Sequence, residues 1–497
     1  MPLRIPAHLV VFLVFPALAP AADSPARSRL NVKGAELAET IRSLVEKRST
    51  ASFQVGVAVI DEEGKLRAAV DSDRPLSPAS NQKILVVGAA LGTLGPEFRY
   101  ETRLAASAPP RGGEVGDLVV VGDGDPNISG RFHNGDPTAV FRSWAAELKK
   151  AGLRRVSGNL VVDDSRFDSQ RVGPGWKESQ AGSPDYAEVG ALNLNDNGIE
   201  ITVRPTQPGK PVKAELSPPT AYVSIDNQCK TASAGREQPI LHRKPGTNSI
   251  VIRKEIGPTR KGFPSRVALQ DPGLYAGTVL AEVLKAEGIE ITGTVVRGTQ
   301  KDRAGASPAI LLRHASSLAE DLRVINKTST NLHADILLKA LGAQAEGLGS
   351  MASGGRAVAA FLAKAKLPAE GLKVEDGSGL SAGNRVSAGT LAALLSWIQR
   401  QPYFQKYQES LPIAGADGTL KNRFQSRKSK GHVFAKTGYI AGVSALSGYV
   451  NRGGKHWVFS VLVNGLRTGG SRSEDIAAAR TLQEEIAEAV YQAMPGE

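Results

Sequence analysis

The stretch Pro78-Ala79-Ser80-Asn81-Gln82-Lys83 is followed by apolar residues at the three-to-four-residue spacing of a helix with one buried face: Ile84, Val87, Leu91 and Leu94. Ser77, placed before a proline, predicts an N-cap with proline at the first helical position. Ser80 then lies in the first turn, where the helix dipole favours negative charge, and Lys83 shares its face. A serine becomes a nucleophile beside a base, and a neutral lysine can be that base. The same pattern also fits a capped amphipathic helix that carries an incidental lysine.

The size and charge of the chain restrict its class. With 497 residues it is too long for one simple core, so two or three domains are expected. Hydrophobic residues at 41% and charged residues at 22% are typical of a soluble globular protein. The formal net charge of +12 suits an anionic partner such as a cell-wall polymer or a membrane surface, so a peripheral association with either is left open. Nucleic acid is not expected as a partner, because zinc-finger spacing and aromatic-rich RNA-binding motifs are absent and aromatic residues are only 5%.

Residues 1–22 have the pattern of a secretory signal peptide. Arg4 precedes an apolar run from Leu9 to Ala19, and Ala19-Pro20-Ala21 resembles a small-residue cleavage site. The run is too short for a membrane span, and no later stretch is long and apolar enough for one. The sequence therefore predicts a protein secreted across the inner membrane into the periplasm, without a transmembrane anchor.

The cysteine and histidine content argues against a disulfide scaffold and against a metal site. Cys229 is the only cysteine, so it can form no internal disulfide and is expected to be a structural thiol. The seven histidines show neither His-x-x-x-His spacing nor cysteine pairing, so no metal and no other cofactor is expected. His333 has no evident carboxylate partner and is expected to be a packed or exposed histidine.

The sequence pattern divides the mature chain into three parts. Residues 23–100 and 310–497 combine helical patterns with alternating strands, whereas 101–309 contains short β-like runs between turns rich in Gly, Pro and Asn. We expect 101–309 to be a mostly β insertion of two nested domains, with the inner module at about 125–200. The flanking parts predict an α+β domain, an antiparallel sheet flanked by helices, with strands from both ends of the chain: 52–60, 65–70, 432–439, 443–450 and 456–463.

Two further short motifs follow the first in chain order. Ser329-Thr330-Asn331 precedes a helix predicted over Leu332 to Leu341, with Gly342 as its C-cap. Lys436-Thr437-Gly438 lies at the end of an alternating strand. Each motif is weak alone, but Ser-x-x-Lys, Ser-x-Asn and Lys-Thr-Gly in this order are typical of serine acyl-transferases of the penicillin-binding and β-lactamase group. Ser157-Gly158-Asn159 also fits Ser-x-Asn, but it precedes a strand within the turn-rich insertion and is rejected.

With these motifs the chain resembles the D-alanyl-D-alanine carboxypeptidase/endopeptidase family, the low-molecular-mass class C penicillin-binding proteins. Further short segments add to the resemblance: Asn326-Lys327-Thr328, Asp376-Gly377-Ser378-Gly379-Leu380-Ser381, Asp417-Gly418-Thr419-Leu420, Gly175-Trp176, Ala191-Leu192-Asn193 and Gly288-Ile289. The 249 residues from Ser80 to Ser329 match the class that carries a large inserted domain. The resemblance covers nearly the whole mature chain and implies a penicillin-binding/β-lactamase-like domain interrupted by one domain, itself interrupted by another.

The resemblance implies acyl transfer from the D-Ala–D-Ala end of peptidoglycan peptides, with β-lactams as covalent inhibitors. Ser80 attacks the penultimate carbonyl, and Lys83 is the expected general base, with its pKa lowered by the nearby cation of Lys436. Ser329 is expected to relay a proton between Lys83 and the leaving nitrogen. Asn331 is expected to steady Lys83 and to donate to the substrate's amide carbonyl.

The strand that carries the third motif supplies the expected substrate-binding residues. Lys436 and Thr437 are expected to meet the terminal carboxylate, and Gly438 to leave room for the substrate backbone. The backbone N–H groups of Ser80 and Tyr439 form the implied oxyanion hole. Tyr439 departs from the small hydroxyl residue that is common at this position, so a second hydroxyl for the carboxylate is missing.

Other functions share these motifs and stay open on the sequence alone. A β-lactamase has them together with efficient deacylation, although the long insertion argues against it. A non-catalytic cell-wall binding protein on the same fold is the alternative from another class, and a homodimer supported by the insertion is also open. Asp376 and Asp417 are expected to have structural roles. A basic run is expected to be a solvated loop: Arg423, Arg427, Lys428 and Lys430.

Overall fold

The computed structural model describes residues 32–49, 52–298, 309–469 and 472–496, so the predicted signal peptide lies outside the described residues. The helices are α1 Val32–Arg48, α2 Gln82–Thr93, α3 Ala139–Lys150, α4 Pro272–Ala286, α5 Leu318–Lys327, α6 Asn331–Glu346, α7 Met351–Lys364, α8 Ala388–Gln399, α9 Phe404–Ser410 and α10 Arg472–Ala493. The strands are β1 Gln54–Ile60, β2 Leu66–Val70, β3 Arg99–Ala106, β4 Glu114–Val115, β5 Leu118–Gly122, β6 Arg155–Val156, β7 Leu160–Asp163, β8 Gly198–Arg204, β9 Lys213–Ser217, β10 Ser224–Asn227, β11 Lys230–Thr231, β12 Ile240–Arg243, β13 Ser249–Arg253, β14 Glu255–Ile256, β15 Phe263–Ala268, β16 Glu290–Ile291, β17 Val295–Arg297, β18 Ala309–Ser317, β19 Val433–Ile440, β20 Val443–Arg452 and β21 Lys455–Asn464.

Strands from both ends of the chain form one sheet in the order β19-β20-β21-β1-β2, and every neighbouring pair is antiparallel. Side chains alternate between the faces of a strand, so Val57 and Val59 pack in the core with α1 and α10, whereas Ala58 packs in the core that contains α2 and α8. Because helices cover both faces, the central strands are buried along most of their length. The predicted α+β architecture, an antiparallel sheet flanked by helices, is confirmed.

A second five-stranded sheet, in the order β17-β7-β5-β3-β18, lies between β2 and α5 in the chain. β3 and β18 enter and leave this region as antiparallel neighbours, with Arg99 paired to Ser317 and Ala106 to Ala309. α3 and α4 share its hydrophobic core. Three smaller sheets form between β8 and β15, in the orders β15-β8-β9, β10-β13-β12 and β11-β14.

The observed strand pairing does not group the residues of the predicted inner module, at about 125–200, into a sheet of their own. β7 and α3 lie in that interval but belong to the outer sheet and its core, whereas the smaller sheets lie at 198–268. The strands of the outer sheet and those of the smaller sheets look alike in sequence. Only their pairing with strands far along the chain distinguishes the two groups. We propose that the insertion extends from 99 to 317, with its inner module at 198–268.

α6 is buried along most of its length, and it is longer than predicted. The predicted end at Gly342 is wrong, because the helix continues to Glu346 and ends at Gly347, whose φ of 85° suits a glycine at that position. Gly342 is needed for packing instead. A Cβ there would lie 2.6 Å from the backbone nitrogen of Gly354 on α7, so the glycine allows the two helices to approach closely.

Cys229 is buried, as expected of a structural thiol. Within the four described ranges, no helix is both long and apolar enough to cross a membrane. In the same part of the chain, no group of three or more His, Cys, Asp or Glu side chains could hold a metal ion.

Candidate active site

Ser80 lies in a 3-10 turn, Ala79–Asn81, that leads directly into α2. The predicted N-cap at Ser77 is wrong, because the helix begins further along and the backbone of Ser77 is bound to the sheet. Its N–H donates to Oδ1 of Asn464 over 2.9 Å, and its carbonyl accepts from Nδ2 of the same residue over 3.0 Å. Ala79 has a φ of 45°, a strained conformation for a residue with a Cβ, so Ser80 follows a strained residue.

Two glycines make room for this turn, because a Cβ at either position would come too close to its backbone. A Cβ on Gly379 would lie 1.9 Å from the carbonyl oxygen of Ala79. A Cβ on Gly438 would lie 2.8 Å from the carbonyl oxygen of Pro78 and 3.1 Å from the backbone nitrogen of Ser80. A side chain at position 438 would therefore meet the turn, and β19 passes directly beside Ser80.

Lys83 is fully buried. Its Nζ atom donates three hydrogen bonds: to Oγ of Ser80 over 3.0 Å, to Oδ1 of Asn331 over 2.8 Å and to the carbonyl oxygen of Ser378 over 2.6 Å. Burial lowers its pKa from 10.5 to about 8, although nearby carboxylates oppose this change. The main cause is thus the removal of the ammonium group from water, not the predicted charge of Lys436.

Ser329 is hydrogen-bonded to Lys436 instead of the expected Lys83. Nζ of Lys436 donates to Oγ of Ser329 over 2.6 Å and to the carbonyl oxygen of Thr437 over 3.0 Å. Burial, together with the charge of Lys83, holds the pKa of Lys436 well below its ordinary value. Each lysine of the site therefore has its own serine hydroxyl.

Asn331 connects the site to the insertion. Its Nδ2 atom, which we predict to meet a substrate carbonyl, donates instead to the carbonyl oxygen of Asp185 over 3.0 Å. Asp185 belongs to a short 3-10 turn, Pro184–Tyr186. Trp176 reaches the site from the same region and donates Nε1 to Oδ2 of Asp376 over 2.9 Å. The insertion thus forms one wall of the site.

β19 is the edge strand of its sheet and supplies the remaining candidate residues. Oγ1 of Thr437 donates to Oγ1 of Thr419 over 2.7 Å. The side chain of Tyr439 is 37% exposed, and its hydroxyl accepts a hydrogen bond from Nε of Arg472 over 3.0 Å. Six of the residues that the sequence predicts for the site lie together where the Ser80 turn, α2, α6 and β19 meet: Ser80, Lys83, Ser329, Asn331, Lys436 and Gly438. Thr437 and Tyr439 lie on β19 on either side of Gly438, and their side chains contact Thr419 and Arg472.

Buried aspartates shape the loop that meets Lys83. Asp376 accepts from the backbone N–H of Gly379 over 2.7 Å, and Asp335 accepts from that of Gly377 over 2.7 Å. Asp335 is fully buried, and burial raises the pKa of its carboxyl group. Sequence reasoning missed Asp335, although its position four residues after Asn331 places it on the same face of α6 and was a usable signal.

His333 is fully buried and paired, so the prediction that it has no carboxylate partner is wrong. Nδ1 lies 2.5 Å from Oδ1 of Asp321, and Nε2 lies 3.1 Å from Oδ1 of Asp196. Burial alone would lower its pKa, but the two carboxylates outweigh this effect and raise the pKa to about 9. Because Asp196 belongs to the insertion, the histidine ties the insertion to α6 next to Asn331.

Other residues singled out in the sequence have structural contacts away from Ser80. Ser157, of the rejected motif, donates its hydroxyl to the carbonyl oxygen of Val115 within the insertion. Asp417 accepts from Nζ of Lys327 and from a backbone N–H, in agreement with a structural role. In the predicted basic loop, Arg423 is instead largely shielded and paired with an acidic residue of α10.

The model of the D-Ala-D-Ala carboxypeptidase 3 (S13) family matches residues 37–485. The chain belongs to this family. It is 34% identical over 446 residues to a D-alanyl-D-alanine carboxypeptidase of Actinomadura sp. (strain R39), covering 86% of this chain and 81% of the relative. It is 30% identical over 409 residues to D-alanyl-D-alanine carboxypeptidase DacB of Haemophilus influenzae, covering 80% and 82% of the two chains.

Solved structures agree with this assignment. The crystal structure of penicillin binding protein 4 (dacB) from Haemophilus influenzae superposes with a TM-score of 0.76 at 26% identity and covers 91% of this chain and 98% of that one. The predicted penicillin-binding/β-lactamase-like fold is therefore confirmed. As a member of the S13 family, the protein is a serine-type D-Ala–D-Ala carboxypeptidase, a hydrolase.

Proposed function

We propose that Ser80 is the nucleophile with which this enzyme cleaves peptidoglycan stem peptides and their cross-links. The observation that carries the proposal is the buried Lys83, whose Nζ contacts both Oγ of Ser80 and Oδ1 of Asn331. In its neutral form Lys83 takes the hydroxyl proton while Oγ bonds to the carbonyl carbon of the penultimate D-Ala. A pKa of about 8 supports this role, because part of the lysine is then neutral at neutral pH.

The remaining steps take place at the same carbonyl carbon of the penultimate D-Ala. The backbone N–H groups of Ser80 and Tyr439 stabilise the oxyanion of the tetrahedral intermediate. The C–N bond then breaks, and Lys83 gives its proton to the departing D-Ala amine. Ser329, oriented by Lys436, hydrogen-bonds that nitrogen. Water then attacks the ester, Lys83 takes a proton from the water and returns it to the serine oxygen, and the shortened peptide leaves.

Nζ of Lys436 and the hydroxyl of Thr437 are the proposed partners of the substrate's terminal carboxylate, whose negative charge favours the protonated form of the amine. A terminal D-Ala–D-Ala bond and a cross-link both lie on the C-terminal side of a D-Ala carbonyl, so one site serves carboxypeptidase and endopeptidase cleavage alike. The predicted signal peptide at 1–22 and the net charge of +12 favour a periplasmic protein that works beside an anionic wall or membrane surface.

β-Lactams are the proposed covalent inhibitors. The Haemophilus influenzae protein has also been solved in complex with a β-lactam, and that structure superposes with a TM-score of 0.71 at 25% identity. A β-lactam presents a strained amide in place of the D-Ala–D-Ala bond, so the same Ser80 attack gives an acyl-enzyme whose leaving group stays attached.

The test is the intact mass of the protein, sampled over time with benzylpenicillin, for the wild type and for Ser80→Ala. A lasting one-to-one adduct on Ser80, absent from the variant, is the expected result. Rapid loss of the antibiotic without an adduct would favour a β-lactamase, and neither adduct nor turnover would favour a binding protein. Digestion of cross-linked muropeptides then measures endopeptidase and carboxypeptidase cleavage separately.

A further inference from the structure

Tyr439 and Thr437 project from the same face of β19. Successive side chains of a strand point to opposite faces, so residues two apart share one face. Gly438, which lies between them, packs against the Ser80 turn, with 3.1 Å from the position of a Cβ to the backbone nitrogen of Ser80. The two side chains therefore lie immediately before and after the residue that contacts the Ser80 turn, and they project from the other face of β19. Since β19 is an edge strand, an extended peptide can lie along it.

Arg472, the first residue of α10, is held over this face by Tyr439. Its Nε atom donates to the tyrosine hydroxyl over 3.0 Å, Nη2 donates to the same oxygen, and the guanidinium carbon lies 5.7 Å from the ring centroid. A guanidinium has five N–H groups, so several donors stay available after these two bonds. Arg472 is exposed, and within the described ranges no carboxylate pairs with it. By contrast, Arg467 nearby pairs with Asp475.

An exposed guanidinium to which the described residues offer no acidic partner, beside the substrate strand, is suited to bind a carboxylate. The terminal carboxylate of a D-Ala–D-Ala peptide is one residue past the scissile carbonyl, which is about 3.3 Å along an extended chain. With the scissile carbon at Ser80, the carboxylate therefore falls beside the residues that flank Gly438. There the hydroxyl of Thr437 already donates to Thr419, and Tyr439 offers no small hydroxyl.

We propose that Arg472, positioned by Tyr439, binds the free terminal carboxylate of the substrate and sets the preference of the enzyme for D-Ala–D-Ala ends over bonds that lack this charge. The proposal rests on the proposed function of the Ser80 site. In this enzyme the arginine takes the place of the hydroxyl that a small residue after Gly438 would provide. Tyr439 is then a positioning residue, because it acts through Arg472.

The experiment compares two substrates that differ only at the end: an acylated Lys-D-Ala-D-Ala with a free carboxylate and the same peptide with a C-terminal amide. The ratio of kcat/KM for the acid to that for the amide is measured for the wild type, Arg472→Gln, Arg472→Lys and Tyr439→Phe. We expect Arg472→Gln to lower this ratio by about tenfold or more, the scale of a lost charge-assisted hydrogen bond, mainly through KM. Arg472→Lys should retain part of the preference, and Tyr439→Phe should lower it less than Arg472→Gln.

Arg480→Gln is the matched control, because it removes the same charge from an exposed position of the same helix. It should leave the ratio unchanged. The proposal is overturned if Arg472→Gln has the same acid-to-amide ratio of kcat/KM as the wild type. It is also overturned if Arg480→Gln lowers this ratio as much as Arg472→Gln does. A wild type that cleaves neither peptide and forms no penicillin adduct overturns the proposed function as well, whereas a wild type that cleaves both peptides confines the failure to Arg472.

Discussion

The Nζ atom of Lys83 lies 3.0 Å from the Oγ atom of Ser80, and the lysine is fully buried. The hydrogen bond places an amine beside the serine hydroxyl, and burial disfavours the protonated form of that amine. Because burial disfavours the charged form, the pKa of Lys83 falls to about 8. The same environment that removes the ammonium from water therefore prepares the lysine to accept a proton.

We expect acylation by benzylpenicillin to speed up with rising pH, with a midpoint near 8, and to level off above it, because only neutral Lys83 accepts the serine proton. The measurement is the rate of adduct formation followed by intact mass from pH 6 to 9.5. Lys83→Ala should acylate about three orders of magnitude more slowly and lose this pH dependence. A wild-type rate that is flat across the range would contradict the role of Lys83 as the base.

Ser329 and Lys436 should act as one unit, because Nζ of the lysine donates to Oγ of the serine over 2.6 Å. A double-mutant cycle with Ser329→Ala and Lys436→Ala should show a coupling of about 1–3 kcal/mol in the activation free energy of acylation. The comparison cycle pairs Ser329→Ala with Asn331→Ala, whose side chain contacts the other lysine, and a smaller coupling is expected. Additive effects in the first cycle would refute the pairing of Ser329 with Lys436.

Local sequence patterns were sufficient for the parts of the site that each lie on one element. Ser80 near a helix start, Asn331 just before the next helix and Lys436 on a strand could each be placed on its element from short motifs and periodicity. The contacts between elements could not be assigned. The two carboxylates of His333 come from 12 and 137 residues away, and no local pattern connects them.

Backbone strain was equally invisible. The sequence Ser77-Pro78 has the composition of a helix start, yet Ser77 is bound by Asn464 of β21, and the helix begins after a residue with positive φ. The inner module proposed at 198–268 was hidden for a related reason, since strands of similar pattern are separated only by their distant partners. Short motifs therefore placed the candidate residues on their elements, whereas the contacts between those elements required the structure.

Protonated His333 should stabilise the fold in a defined pH window. Its pKa is about 9 in the folded protein and 6.5 without the partners, so the contribution is complete below pH 6.5 and is lost as the pH rises through 9. The full effect is about 3 kcal/mol in the free energy of unfolding. Urea unfolding at pH 6, 7.5 and 9.5 measures it.

His333→Gln should abolish this pH-dependent part, so the difference in stability from the wild type should be largest at pH 6. His432→Gln is the control, because His432 is exposed and should leave the pH dependence as in the wild type. Equal destabilisation by His333→Gln at all three pH values would mean that the histidine is held by packing and not by its charge.

Two glycines with the same φ separate strain from steric contact at Ser80. Gly379 and Gly347 both have a φ of 85°. A Cβ on Gly379 would lie 1.9 Å from the carbonyl oxygen of Ala79, whereas a Cβ on Gly347 would meet nothing within 4 Å. Alanine at either position adds about 1–2 kcal/mol of backbone strain, but only at Gly379 must the Ser80 turn also move.

Gly347→Ala should therefore lower the free energy of unfolding by about 1–2 kcal/mol and acylate at the wild-type rate. Gly379→Ala should lower the acylation rate by at least about a hundredfold, because displacement of the turn moves Oγ of Ser80 away from Nζ of Lys83 and away from the oxyanion hole. Acylation and urea unfolding are measured on both variants, and a circular dichroism spectrum shows whether each is folded. A folded Gly379→Ala enzyme that acylates as fast as Gly347→Ala would show that the close contact with Ala79 does not control the position of the nucleophile.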